Sequence, residues 1–289
     1  MSGRTSPDAT RTSATTSACA DPATASTTTA AVRQPLTVLS LFSGVGGLDL
    51  GLERAGMTTV GQVELDPYCR RVLAKHWPDV PRHDDVRTAA DWWLSEERPS
   101  VDVVCGGYPC QPFSTAGKML GADDDRHLWP AFLETVRLVR PRYVLAENVP
   151  AHLGIGFDRV LADLAGVGLD AQWSVVPASA MGAPQRRPRL LLVAYPKGGE
   201  RLDRRWLSAV QTSRRADNAM ADAHRCRTHD TGPADAEPWT TEPRLGRMVD
   251  GPPYRVDRRR LHALGNAVVP QVAEYVGRLI VAHAEQVAA

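Results

Sequence analysis

The sequence has almost no net charge, no cysteine framework and no long apolar run. Its 34 Lys and Arg nearly cancel 33 Asp and Glu, leaving +1. A global electrostatic case for a polyanionic partner is thereby excluded, and any nucleic-acid site must be local. Five cysteines, at positions 19, 69, 105, 110 and 226, are odd in number and scattered. With no secretory signal they read as reduced thiols, not as a disulfide scaffold. No apolar stretch approaches the roughly 20 residues of a membrane span. A soluble cytoplasmic chain with no membrane partner is therefore expected. No internal repeat is visible. His224, Cys226 and His229 lack a fourth ligand at a persuasive spacing, so no metal site is expected. Residues 1–34 are mostly Ser, Thr, Ala and Pro. They lack the apolar surface that would offset ordering entropy and read as a disordered tail.

What is present suits an α/β domain. The 289 residues are 43% hydrophobic, enough for one large domain with a smaller insertion. A strand over 36–42 runs into Ser43-Gly44-Val45-Gly46-Gly47, followed by a helix with Leu48, Leu52 and Ala55 on one face. Strand, glycine turn and helix form a ligand-binding βα unit, although the third glycine of the dinucleotide fingerprint is replaced by Asp49. A second strand over 58–63 ends in Glu64, twenty residues after Gly44, where a carboxylate takes a ribose hydroxyl pair. A nucleoside-containing cofactor is expected, with the missing glycine leaning away from a dinucleotide. A helix over 67–76 follows, then His83-Asp84-Asp85-Val86. Asp85 there suits either an adenine amino group or a helix N-cap.

The next strand, 101–105, is apolar and β-branched, and leads into Gly106-Gly107-Tyr108-Pro109-Cys110-Gln111-Pro112-Phe113-Ser114. A cysteine just past a strand end sits where α/β sheets present their chemistry. The loop continues through Gly117, Gly121 and Asp123-Asp124-Asp125, polar enough to be a mobile lid. A helix over 129–139 and a strand over 142–146 deliver Glu147-Asn148-Val149-Pro150 to the same edge as Cys110. Phe157, Val160, Leu161 and Leu164 mark an amphipathic helix closed by Gly166 and Gly168. Strands over 173–176 and 190–194 form a hairpin-like pair around Gln185-Arg186-Arg187-Pro188-Arg189. Residues 195–255 lose periodicity and hold eleven Lys and Arg against nine Asp and Glu. Their Trp206, Trp239 and Arg pairs suit phosphate contact and stacking. The chain closes with Gly265-Asn266-Ala267-Val268-Val269-Pro270 and a helix over 271–284.

This ordered series resembles the DNA (cytosine-5) methyltransferase family. The resemblance rests on Phe42 through Gly47, Gly107 through Ser114, Glu147-Asn148-Val149, residues 185–189 and Gly265-Asn266-Ala267-Val268. It implies a doubly wound, mostly parallel sheet of the S-adenosylmethionine-dependent type, with residues 35–194 as catalytic domain. Residues 195–255 would be a short target-recognition region, and 256–289 would return to the catalytic domain. The resemblance implies S-adenosyl-L-methionine as cofactor and a flipped-out cytosine of double-stranded DNA as substrate. Cys110 would be the nucleophile at carbon 6 and Glu147 the acid at N3. Arg187 and Arg189 would orient Glu147 and hold the base oxygen. Phe42, Gly44, Gly46, Glu64, Asp85, Pro109, Asn266 and Val268 would line the cofactor pocket. The loop from Gln111 to Arg126 would close on DNA, with Ser114 near a phosphate. A monomer in a bacterial or phage-infected cell, paired with a cognate restriction endonuclease, fits the same family. The penultimate family motif has no convincing match; residues 243–253 are at best a remnant.

Other readings use fewer of these features. An RNA cytosine-5 methyltransferase would share the core, but the short recognition motif of the tRNA enzymes is missing. An inactive DNA-binding module would not need Cys110, Glu147 and Arg189 together. Gly251-Pro252-Pro253-Tyr254 is superficially similar to the amino-methyltransferase motif, yet Gly cannot accept from an exocyclic amine. A nicotinamide oxidoreductase would leave Pro109-Cys110-Gln111 unused.

Overall fold

Short β-branched runs separated by amphipathic helices build a seven-stranded sheet. The computed structural model describes residues 34–109, 128–202 and 254–288. The strands are β1 (Thr37–Leu41), β2 (Thr58–Val63), β3 (Arg82–His83), β4 (Val103–Gly107), β5 (Tyr143–Asn148), β6 (Leu169–Pro177) and β7 (Pro188–Pro196). The helices are α1 (Gly47–Arg54), α2 (Pro67–His76), α3 (Ala89–Leu94), α4 (Trp129–Val139), α5 (Phe157–Gly166), α6 (Tyr254–Asn266) and α7 (Pro270–Val287).

The strand order is β3-β2-β1-β4-β5-β7-β6. β1 to β5 pair in parallel, and β7 is antiparallel to both β5 and β6. The chain winds outward from β1 through β2 to β3, then returns to place β4 on the other side of β1. That reversal makes the carboxyl ends of β1 and β4 a topological switch point, where open α/β sheets bind ligands.

Side chains alternate across the sheet and define two apolar layers. Val38, Val103, Cys105, Tyr143, Leu145, Leu191 and Val193 pack on one face beneath α1 and α7. Leu39, Leu41, Val104, Val144, Leu190 and Leu192 pack on the other with Trp93 of α3, Phe132 of α4 and Val160 of α5. The final helix therefore docks on the first. At Gly51 an added Cβ would collide with Ala273 and the Pro270 carbonyl, and would lie 2.8 Å from the Glu274 nitrogen.

Several expected boundaries move. β4 runs on through Gly106 and Gly107, and β5 includes Glu147 and Asn148. Neither α3 nor α6 was expected. Among the described residues no helix is long and apolar enough to cross a membrane, and no cluster of His, Cys, Asp or Glu could hold a metal ion. The tail before residue 34, the 224–229 set and most of 195–255 lie outside the described residues.

Gly51→Val should lower unfolding free energy by about 1–3 kcal/mol, because backbone on α7 cannot yield to the new methyl groups. Chemical denaturation measures this.

Candidate active site

The glycine turn leaves β1 through Phe42, a non-glycine residue at φ 53, which packs partly buried against the second apolar layer. Ser43 anchors the turn, its amide donating to the Val63 carbonyl at 3.1 Å and its hydroxyl to the Ser40 carbonyl at 3.1 Å. Gly44 and Gly46 follow at φ 58 and 85. Glu64, at the end of β2, closes the other side. One carboxylate oxygen accepts from the Gly44 amide and the other from the Asp66 amide, both at 2.7 Å. Each oxygen keeps a second lone pair for an incoming hydroxyl. A glycine turn facing a carboxylate held in this way fits the ribose end of a nucleoside cofactor.

The remaining cofactor candidates are placed less uniformly. Asp85 caps the 3-10 turn Val86–Thr88, accepting from the Arg87 amide at 2.9 Å, and is paired with the Arg87 guanidinium at 3.5 Å. The helix-cap reading is thus realised, with the Asp85 side chain still partly exposed. Val268 is buried, and its carbonyl lies where a Cβ on Gly47 would stand. The closing segment therefore reaches the start of α1. Asn266 is exposed, and its side chain meets His262 at 3.1 Å. Pro109 borders a narrow cavity with Trp129, His152 and Val160.

The opposite wall is built at the ends of β4, β5 and β7. Glu147 and Leu145 share one face of β5, and Arg189 and Leu191 share the same face of β7. The Arg189 Nε donates to Glu147 Oε1 at 2.9 Å. Gly107 stands directly opposite Glu147 in the parallel pairing. A Cβ on Gly107 would be 2.6 Å from Glu147 Oε2. Glycine is needed there because the carboxylate occupies the space of a side chain. Glu147 is only 8% exposed. Burial pushes its carboxyl from 4.5 up to about 7, against the pull of Arg189 and then Arg187. A carboxyl so placed carries a transferable proton near neutral pH.

Arg187 has partners that the sequence does not disclose. It stands at φ 31, in the left-handed region, and its Nη2 donates to the carbonyls of Gly265 at 2.5 Å and Ala267 at 2.7 Å. Burial, then the charge of Arg189, lowers its pKa, while Glu147 raises it. Arg187 thus pins the end of α6 to the β6–β7 turn, within electrostatic range of Glu147. Arg189 alone makes the direct bond to that carboxylate.

Two further positions matter that the sequence reading assigned no role. Asn148 donates from Nδ2 to the Tyr108 carbonyl at 3.2 Å and accepts the Val149 amide at 2.8 Å. His152 Nδ1 donates to the Ile155 carbonyl at 2.9 Å, so its Nε2 accepts from the Tyr108 hydroxyl at 2.7 Å. Tyr108 is held at both ends immediately before Pro109. Asn148 was visible as the neighbour of Glu147, whereas nothing periodic marks His152. Cys110, Gln111, Ser114 and Arg126 lie outside the described residues.

A family profile described as C-5 cytosine-specific DNA methylase matches residues 36–229. The type II methyltransferase M2.BsuMI of Bacillus subtilis is 36% identical over 168 residues, 55% of this chain and 42% of that protein. M.NgoMIV of Neisseria gonorrhoeae is 36% identical over 163 residues, 55% of this chain and 51% of that protein. The chain spans about half the length of the curated relatives it matches. Among solved structures, a DNMT2 mutant from Spodoptera frugiperda aligns with a TM-score of 0.48 at 21% identity, covering 56% of this chain and 50% of that one.

The raised carboxyl of Glu147 makes stability depend on pH. The folded protein binds this proton more tightly than the unfolded chain, so the contribution is complete below 4.5 and is lost as pH rises to about 7. Relative to Glu147→Gln, the wild type should lose roughly 2–3 kcal/mol across that window. Denaturant titrations of both proteins at several pH values measure the difference.

Proposed function

Because the chain belongs to the C-5 cytosine-specific DNA methylase family, we propose that it methylates carbon 5 of cytosine in double-stranded DNA. The observation that supports this most is the buried Glu147–Arg189 pair at the end of β5, beside the strand end that leads to Cys110. S-adenosylmethionine, held by Phe42, the Gly44–Gly46 turn and Glu64, supplies an electrophilic methyl group on its sulfonium. The type II methyltransferase names of the bacterial relatives support a bacterial or phage-infected cytoplasm with a restriction endonuclease as companion, and the family resemblance implies a monomer.

Carbon 5 of cytosine is a weak nucleophile until carbon 6 is saturated. The base is first turned out of the stack, which costs a few kcal/mol that pocket contacts offset. The Cys110 thiolate then forms a bond to carbon 6 while Glu147 gives its proton to N3. Arg189 holds Glu147 in register and would also receive the base oxygen. Carbon 5, now enamine-like, would take the methyl group that the bound sulfonium supplies, with the thioether as leaving group. A water removes the proton from carbon 5, the 5,6 double bond re-forms, and the Cys110 sulfur leaves carbon 6. N3 returns its proton to Glu147. By the family resemblance, Gln111, Ser114 and Arg126 would contact the DNA beside the displaced base.

Cys110→Ala should abolish methyl transfer to duplex DNA, with affinity for S-adenosylmethionine unchanged. Glu147→Gln should slow transfer by about 100-fold or more while DNA affinity holds. Tritiated-methyl incorporation and equilibrium binding measure both. Turnover by Cys110→Ala close to that of the wild type contradicts the proposal.

A further inference from the structure

The buried group that this chemistry leaves unused is Asp49, standing where the dinucleotide fingerprint has its third glycine. It belongs to α1 and has no exposed surface. Its Oδ2 accepts from the Ser40 hydroxyl at 3.0 Å and its Oδ1 from the Gln62 side-chain amide at 2.8 Å. Ser40 and Gln62 are paired with each other across β1 and β2. One carboxylate therefore bridges both members of a single cross-strand pair. Two residues further along those strands lie Phe42 and Glu64, the side chains that face the nucleoside site. The Ser43 hydroxyl also bonds Ser40, at 3.0 Å, so the turn itself is tied to the same bridge.

We propose that Asp49 is a positioning residue for the cofactor, fixing the separation and register of the strand ends that carry Phe42 and Glu64. The proposal rests on the methyltransferase reading and adds a residue to its cofactor site. Burial, opposed by Gln62 and Ser40 and reinforced by the charge of Glu53, raises the pKa of Asp49 from 3.8 to about 6. An acid shifted upward gives stability at low pH that is lost as pH rises through that range. Cys105, beneath it on β4, is pushed up by burial and then by Asp49 and stays a thiol. The bridge ties the glycine turn to both strands.

The test is the dissociation constant for S-adenosylmethionine, measured by calorimetry on the full chain, with kcat and KM for the same ligand. Asp49→Ala should weaken binding by about 10- to 100-fold, the usual range for losing a charge-assisted hydrogen bond. At saturating cofactor kcat should stay within about twofold, so the loss appears in KM. Asp49→Asn, which accepts from Gln62 and donates to a rotated Ser40 hydroxyl, should restore most of the affinity. If Asp49→Ala does not fold, Ser40→Ala and Gln62→Ala each remove one bridge bond and should each weaken binding. Unchanged cofactor affinity in the folded variants overturns the assignment, as does a loss confined to kcat. A wild-type chain that does not bind S-adenosylmethionine would overturn the methyltransferase reading itself, a result distinct from unchanged variants.

Discussion

The proposed chemistry of this site depends on one carboxylate taken out of water. Glu147 is shielded by its position at the end of a strand that is buried along its whole length, and it is held by Arg189 from the antiparallel neighbour. An exposed glutamate would be ionised at neutral pH and could accept a proton but not give one. Burial raises the carboxyl to about 7, and the adjacent guanidinium keeps it from rising further. Gly107 opposite is part of the same constraint, since any side chain there would displace the carboxylate. Three strands thus contribute to the placement of one proton.

The second wall of the site is joined to the first through the end of the chain. Arg187 holds the carbonyls of Gly265 and Ala267, and Val268 lies against Gly47 at the start of α1. The segment from 265 to 268 therefore contacts both the β6–β7 turn and the start of α1. The non-glycine residue at φ 31 within this clamp is backbone strain held by its two carbonyl partners. Asn148 and His152 do similar work on Tyr108, fixing the backbone that leads toward Cys110.

Much of this was legible before any coordinates. β2, α2 and α4 fall at or close to 58–63, 67–76 and 129–139, where the sequence places them, because strand and helix signals are local. The glycine turn, Glu64 and the Glu147 strand end were read from spacing, and the antiparallel pair around Arg187 and Arg189 from two apolar runs. Other features were not legible. Gly106 and Gly107 read as a turn, although they continue β4, since glycine there answers to a neighbour on another strand. α6 is rich in arginine and has no apolar stripe strong enough to announce a helix. The partner of Arg187 is 78 residues away in sequence, and no local pattern connects them. Asp49 registered only as a missing glycine, because its role depends on two strands meeting above it.

The central claim is that this buried acid and its neighbouring cysteine methylate carbon 5 of cytosine. Single-base mapping of DNA from a methylation-free host expressing the chain tests it most directly, with Glu147→Gln as the control. The account predicts 5-methylcytosine at a defined set of duplex sites, absent or nearly so from the control. DNA with no 5-methylcytosine above background, or with the methyl group on the exocyclic nitrogen, would contradict it.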